Sequence, residues 1–288
     1  MKIIEILFPV FTLVLAGYVY GRMYQPGLRG VNQMILFVFV PALVFDVMSR
    51  KDFQVIEYQW LALGGLAVVL GSGLIAWPVA RLMHYRIRAF LPPMMFNNCG
   101  NLGLPLALLA FGDAGLEAMV VLFLISNVLH FTLGTWIFGG IVSWKEFFIN
   151  PVNIATFAGL VVNFARIEIP GFVLQPISML GQIVIPFMLF SLGVRMVNVE
   201  SSHLRSGIVG ALICPLSGII PAILIGSFIP LTNFQFGLLI LFAALPPAVL
   251  NFLFAEQYDQ DPELVASLVL VGNAMALLVI TIVLWWLV

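Results

Sequence analysis

Apolar stretches of bilayer length follow one another along this chain, from "IIEILFPVFTLVLAGYVY" at Ile3 to "LVLVGNAMALLVITIVLWWLV" ending at Val288. A helix needs about 20 apolar residues to cross the hydrocarbon core of a bilayer. Only structures that satisfy their own backbone groups survive there, and for segments of this length that means α-helices. Ten spans are expected, at 3–21, 31–48, 58–82, 89–111, 116–139, 151–166, 172–194, 204–229, 234–255 and 264–288. Charged residues are only 9% of the chain, against about 25% in soluble domains. The chain therefore reads as an all-α polytopic membrane protein.

The same composition excludes other classes. A net charge of −1 without a basic cluster argues against nucleic acid as a partner. The two cysteines, Cys99 and Cys214, both lie in apolar segments and suggest neither a disulfide framework nor a metal site. No cofactor is expected. The first span begins almost at Met1 and is followed by further spans, so it reads as a retained helix rather than a cleaved signal. Connections after spans 1, 3, 5 and 7 carry eight Lys and Arg, and the opposite side carries four. The excess of positive charge marks the cytoplasmic side, which would put both termini on the other face of a cell membrane, expected to be a bacterial inner membrane.

The chain also repeats itself. "FPVFTLVLAGYVYG" from Phe8 and "NPVNIATFAGLVVN" from Asn150 share Pro9/Pro151, Ala16/Ala158 and Gly17/Gly159 at one offset. Pro41/Pro186, Phe45/Phe190, Asp113/Asp259, Glu117/Glu263 and Asn127/Asn273 follow in order at nearly the same offset. Residues 1–149 and 150–288 thus read as two five-span repeats. An odd number of spans turns the second copy upside down, the arrangement of many secondary transporters.

Within each repeat the fourth span is interrupted. The first reads "FNNCGNLGLPLALLAFG" and the second "FAALPPAVLNFLFAEQY". Gly100 and Gly103 permit unwound backbone, and Pro105, Pro246 and Pro247 remove donors from the helical ladder. Irregular backbone at this depth is tolerated where it is buried in protein or lines a wet cavity. Two half-helices are expected to start after the breaks, with Pro105 and Pro247 near their first turns. Their amide ends, meeting near the midplane, would suit an anion. Asn97, Asn98, Asn101 and Asn251 add neutral hydrogen-bonding groups as substrate-binding candidates. Asn127 and Asn273, mates one span later, either face the same cavity or bond neighbouring helices. His130 is either a proton-coupling residue or an interhelical histidine with its hydrogen bonds satisfied. Ser126 and Gln182 read as structural, Gly64, Ala67 and Gly71 as close helix packing, and Asp46 as a helix-end acid with a local partner.

"NNCGNLGLPLALLAFG" and "LPPAVLNFLFAEQYDQDPEL", with the Asn-Pro at Asn150–Pro151, resemble the crossover segments of the auxin efflux carrier family. That family includes bacterial malate and malonate permease-like proteins, is related to the plant PIN-formed carriers, and is more distantly related to bile acid:sodium symporters. The resemblance implies a scaffold of spans 1, 2, 6 and 7 and a moving domain of spans 3–5 and 8–10. It further implies substrate held where spans four and nine cross, elevator-type transport and a homodimer formed through the scaffold. Asn98 and Pro105 fall at the family's substrate-asparagine and crossover-proline positions, and Pro246 or Pro247 supplies the second crossover. The expected function is secondary transport of a small organic anion, not enzymatic catalysis. A sodium-coupled bile-acid-type symporter is the rival of the same architecture. An intramembrane enzyme built on Ser126 and His130, or a channel, are rivals from other classes.

Overall fold

The computed structural model describes residues 2–198 and 203–287. It is all-helical, with no strand among the described residues. Among the described residues, seven helices are long and apolar enough to cross a membrane. In chain order the α-helices are α1 (Lys2–Tyr24), α2 (Arg29–Met34), α3 (Val40–Ser49), α4 (Gln59–Leu82), α5 (Ile87–Met95), α6 (Leu104–Leu129), α7 (Thr135–Ile137), α8 (Trp144–Ile149), α9 (Pro151–Phe164), α10 (Gly171–Arg195), α11 (Leu204–Gly226), α12 (Asn233–Ala243), α13 (Leu250–Gln257) and α14 (Pro262–Leu287). Wider π-helical turns join α2 to α3 (Ile35–Phe39), lead into α6 (Cys99–Gly103) and join α6 to α7 (His130–Gly134).

Two of these turns have a visible cause. Pro41 and Pro105 each stand at the start of the α-helix that follows a π turn. Proline cannot donate to the carbonyl four residues back, and a one-residue widening of the preceding turn re-routes the ladder. Leu104 accordingly donates from its amide to the Cys99 carbonyl, five residues back.

Several expected spans take a different form. Spans four and five run on as Cys99–Ile137, but Gly112, at φ 69° and ψ −160°, breaks the helical path. A Cβ added at Gly115 would lie 2.5 Å from the Ala107 carbonyl oxygen. Eight residues along a straight helix span about 12 Å, so the chain folds back there. Span six is a 14-residue helix and span nine is α12 and α13 with a non-helical gap between them. None of these is a single straight bilayer-length helix: α9 is unbroken but short, and proline, glycine and asparagine interrupt the others.

The chain divides into two compact units: Met1–Pro9, Tyr58–Val142 and Asn198–Val288 in one, Val10–Glu57 and Ser143–Val197 in the other. In the larger unit α4 and α14 pack on α11, and small residues let the backbones approach. Gly218 sits against the Ala243 backbone, Gly71 against Pro221 and Gly64 against Leu239. In the smaller unit α3 packs on α9 and α10. There α1 crosses α10 with Gly17 against the Phe190 carbonyl and Gly193 against the Val14 carbonyl. Asp46, buried near the end of α3, pairs with Arg50 one turn on at 3.1 Å. Asn163 donates to the Arg50 and Phe53 carbonyls at 2.5 and 3.0 Å, tying α9 to the end of α3.

Candidate functional site

The larger unit contains both interruptions, and they meet. After α5 the chain is non-helical at 96–98, extended at Phe96, and between α12 and α13 it is irregular from Ala244 to Val249. Asn97 and Pro247 form an antiparallel bridge. The Asn98 amide donates to the Pro246 carbonyl at 2.7 Å, and the Ala248 amide donates to the Phe96 carbonyl at 2.9 Å. Backbone groups that each helix leaves unpaired at its break are thus satisfied by the other break, as buried backbone requires.

Side-chain amides fasten this crossing from both directions. Asn251 Nδ2 donates to the Phe96 carbonyl and to the Ala248 carbonyl, both at 2.9 Å. Asn97 Nδ2 donates to the Phe242 carbonyl at 2.6 Å. Asn98 Nδ2 donates to Asn273 Oδ1 at 2.7 Å, and Asn273 Nδ2 in turn donates to the Pro247 and Val269 carbonyls at 2.9 and 2.8 Å. All four asparagines are buried. The donor ends of Asn97, Asn98 and Asn251 are therefore committed to the crossing itself, and Asn273 takes the second of its two expected roles, bonding neighbouring segments. Asn101 and Gly100 are half-buried beside the break, in the turn that follows it. Asn127 does not mirror its mate: its Nδ2 is buried without a hydrogen-bond partner.

Two positional expectations need correcting. Pro105 stands in the first turn of α6 as expected, with a full π turn between it and the break, but Gly103 lies within that turn rather than in unwound chain. Pro247 lies in the bridge itself, and α13 starts three residues later. Helix resumes at Cys99 after the first break and at Leu250 after the second. Neither start has a side-chain cap; the Asn251 and Phe252 amides donate to the Ala248 and Val249 carbonyls, and the Leu102 and Gly103 amides to the Asn98 carbonyl, so only the amides ahead of these lack the acceptor a side-chain cap provides. Gly272 makes room for Pro247: a Cβ there would come within 2.8 Å of the ring.

What can meet a guest here is narrower than a row of asparagine donors. Asn97 Oδ1, Asn251 Oδ1, Asn127 Nδ2 and His130 Nε2 are buried and unpartnered. His130 is not the satisfied interhelical histidine considered above. Its ring stacks on Phe96 with centroids 4.3 Å apart and meets Phe254 edge-on at 5.2 Å. A narrow apolar crevice with no room for a water molecule adjoins the second break and is lined by Ala211, Pro215, Ala244, Pro246, Pro247 and Gly272, among others. Sequence reasoning missed Phe96, whose carbonyl takes two hydrogen bonds and whose ring covers the imidazole. It also missed Cys214, whose thiol lies 3.7 Å from the Pro93 carbonyl and 3.6 Å from that of Leu245, reaching both interrupted segments. No sequence signal marks either, because both act through backbone carbonyls.

An all-helical bundle with two interrupted helices joined at their breaks is the frame of a membrane carrier. The chain matches the membrane transport protein family over residues 2–141 and 138–284, and so belongs to that family, the auxin efflux carriers. It is 22% identical to an uncharacterized transporter of Methanocaldococcus jannaschii, over 98% of this chain and 97% of that protein. It is 22% identical to a putative malonate transporter of Rhizobium meliloti, over 97% of this chain and 94% of that one. Auxin efflux carrier component 8 of Arabidopsis thaliana is 32% identical over 47% of this chain and 39% of its own length. The protein is a multi-pass membrane transporter and not an enzyme.

Proposed function

We propose that the protein is a secondary transporter that carries a small organic anion, held where the two interrupted helices meet. The observation that carries this is the bridge at Asn97 and Pro247 with an uncapped helix start on each side. Uncapped helix starts present amide donors and a partial positive charge of about half a unit, and they bind carboxylates without needing a lysine or arginine. Asn98, Asn101 and Asn251 are the nearest side chains to those starts in sequence. Malonate, named for one relative, is a small dicarboxylate and the first substrate to try.

The chain is proposed to be two inverted five-span repeats, a reading supported by one break in each half and by the matched positions Asn127 and Asn273. The unit holding both breaks would move as an elevator, and the unit of Val10–Glu57 and Ser143–Val197 would serve as scaffold and homodimer contact. Both termini would lie away from the cytoplasm, from the count of Lys and Arg in the connections. A sodium-coupled variant is favoured by one feature only: Asn97 Oδ1 and Asn251 Oδ1 are buried acceptors without donors. Sodium dependence of uptake separates the two readings.

The test is uptake of radiolabelled malonate and a carboxylate panel into proteoliposomes. Uptake by the wild-type protein, reduced at least tenfold in Asn98→Ala, is the expected outcome. A folded wild-type protein that moves no carboxylate, or an Asn98→Ala protein with undiminished flux, overturns the assignment.

A further inference from the structure

We infer that the His130 imidazole binds a proton that travels with the anion, with Asn251 as its hydrogen-bond acceptor; this rests on the transporter reading above. His130 is 4% exposed and stands at the first position of the π turn His130–Gly134, a distortion often found at functional positions. Asn251 bonds the Phe96 carbonyl and lies one turn before Phe254 on α13, the two residues whose rings meet the imidazole. The Asn251 amide is fixed in orientation, because Nδ2 donates to both the Phe96 and Ala248 carbonyls. Oδ1 is thus the end left over, and it has no donor. His130 Nε2 has no partner either.

An amide oxygen can only accept, and a neutral imidazole carries a proton on just one of its two nitrogens. Protonation makes both nitrogens donors. A proton on Nε2 then meets an acceptor already held in place. A buried polar atom without a partner is rare enough to ask for a cause, and here two complementary ones sit on neighbouring side chains. Asn127, one turn before His130 on the same helix face, adds a third such atom in Nδ2.

Among the described residues, no other titratable side chain is seen to meet the ring. It faces Phe96 from the break, Asn251 and Phe254 from α13, and Gly134 from its own turn. The charged residues of the packed elements, Arg86 and Arg88 by α5 and Glu256 on α13, are exposed. Tyr258 meets Phe254 rather than the imidazole. Asp113 and Glu117 lie about 20 Å or more away along α6. Phe96 is both the face against which the imidazole stacks and the residue whose carbonyl pairs the two breaks. A charge on His130 is therefore felt at the crossing. A proton moving with the anion cancels one of its negative charges in the hydrocarbon, where an unpaired charge is costly.

The experiment measures malonate uptake into proteoliposomes with and without an inward proton gradient, at about pH 5 to 8, where imidazoles ordinarily titrate. In the wild-type protein the gradient should raise initial uptake at least threefold. In His130→Gln the ratio of uptake with and without the gradient should fall to one, whatever the absolute flux. His130→Asn is the second variant, should glutamine not fold. Wild-type uptake indifferent to the gradient, or a substituted protein that keeps the ratio, overturns the inference. A protein that moves no malonate counts against the transporter reading instead. The proton site is then decided by NMR of histidine-labelled protein. A titration lost in His130→Gln supports it, and an imidazole at position 130 that never titrates refutes it.

Discussion

Asn98 donates from its backbone to Pro246 and from its side chain to Asn273, so one residue ties the first break to both the second break and the helix behind it. Asn273 completes the chain by donating to the Pro247 carbonyl. The crossing is therefore a closed network of backbone and amide groups. The same asparagines that place the helix starts also hold them together, and flux and stability should fall together when they are changed.

That coupling can be measured between Asn98 and Asn273. Each single alanine substitution leaves a buried partner unmatched, which costs about 1–3 kcal/mol. The double substitution should cost less than the sum, with an interaction energy of about 0.5–3 kcal/mol. Detergent unfolding of the four proteins gives the cycle. Strict additivity would mean the 2.7 Å contact contributes nothing.

Asn251 carries a heavier mechanical role than its neighbours. Asn251→Ala removes the side-chain amide that donates to the Phe96 and Ala248 carbonyls, leaving each with its backbone donor alone, and the position is fully buried, at 0% exposure. The unfolding midpoint should drop by several degrees, further than in Asn97→Ala, which loses one such bond. Equal losses in the two variants would contradict this ranking.

How much of this could be read beforehand differs from residue to residue. The interruptions at residues 96–98 and 244–249 were legible because Asn, Gly and Pro fail as helix formers wherever they stand. Pro105 stands in the first turn of α6 as read, but the π turn ahead of it was not legible, since proline at a helix start looks the same whether the preceding turn is unwound or π-helical. The partners of Asn97, Asn98 and Asn251 were hidden for another reason. Each donates to a group at least 145 residues away, and periodicity carries no information about pairing at that range. His130 was ambiguous for the same cause: whether Nε2 is satisfied depends on which helices close around it.

Lys51 and Glu168 pair outside the spans, on the surface of the smaller unit. Hydrogen bonding and charge from Lys51 hold the Glu168 carboxyl below its ordinary titration range. A carboxyl lowered on folding adds stability above its unfolded titration point and loses it as pH falls through the folded one. Both side chains are exposed, so solvent screens the pair. Lys51→Met should return Glu168 to ordinary titration by NMR and flatten the acid limb of the stability profile slightly. A Glu168 titration unchanged by that substitution would show the pair is absent in solution.

Gly112 tests conformation apart from packing. Its φ of 69° with ψ of −160° belongs to glycine, yet a Cβ there would meet nothing within 4 Å. Gly112→Ala should therefore destabilise through the backbone alone, by about 1–3 kcal/mol. Gly27 also faces open space but has no positive φ, so Gly27→Ala is the control and should be near neutral. Two equal unfolding midpoints would remove the case for a required kink between the segments on either side of Gly112.

Gly193 presents the opposite situation, ordinary helical backbone with no room. A Cβ there would fall 1.9 Å from the Val14 carbonyl oxygen, and at Gly17 one would fall 2.0 Å from the Phe190 carbonyl oxygen. Backbone cannot turn aside as a flexible side chain does, so α1 and α10 must separate by an ångström or more to admit alanine. Membrane helices gain their association from such close contact, and overpacking typically costs about 1–3 kcal/mol. Gly193→Ala and Gly17→Ala should each lower the unfolding midpoint by several degrees. Together they should cost less than their sum, because the first substitution already opens the crossing for the second. Full additivity would mean that the two glycines relieve separate contacts rather than one shared approach of α1 to α10.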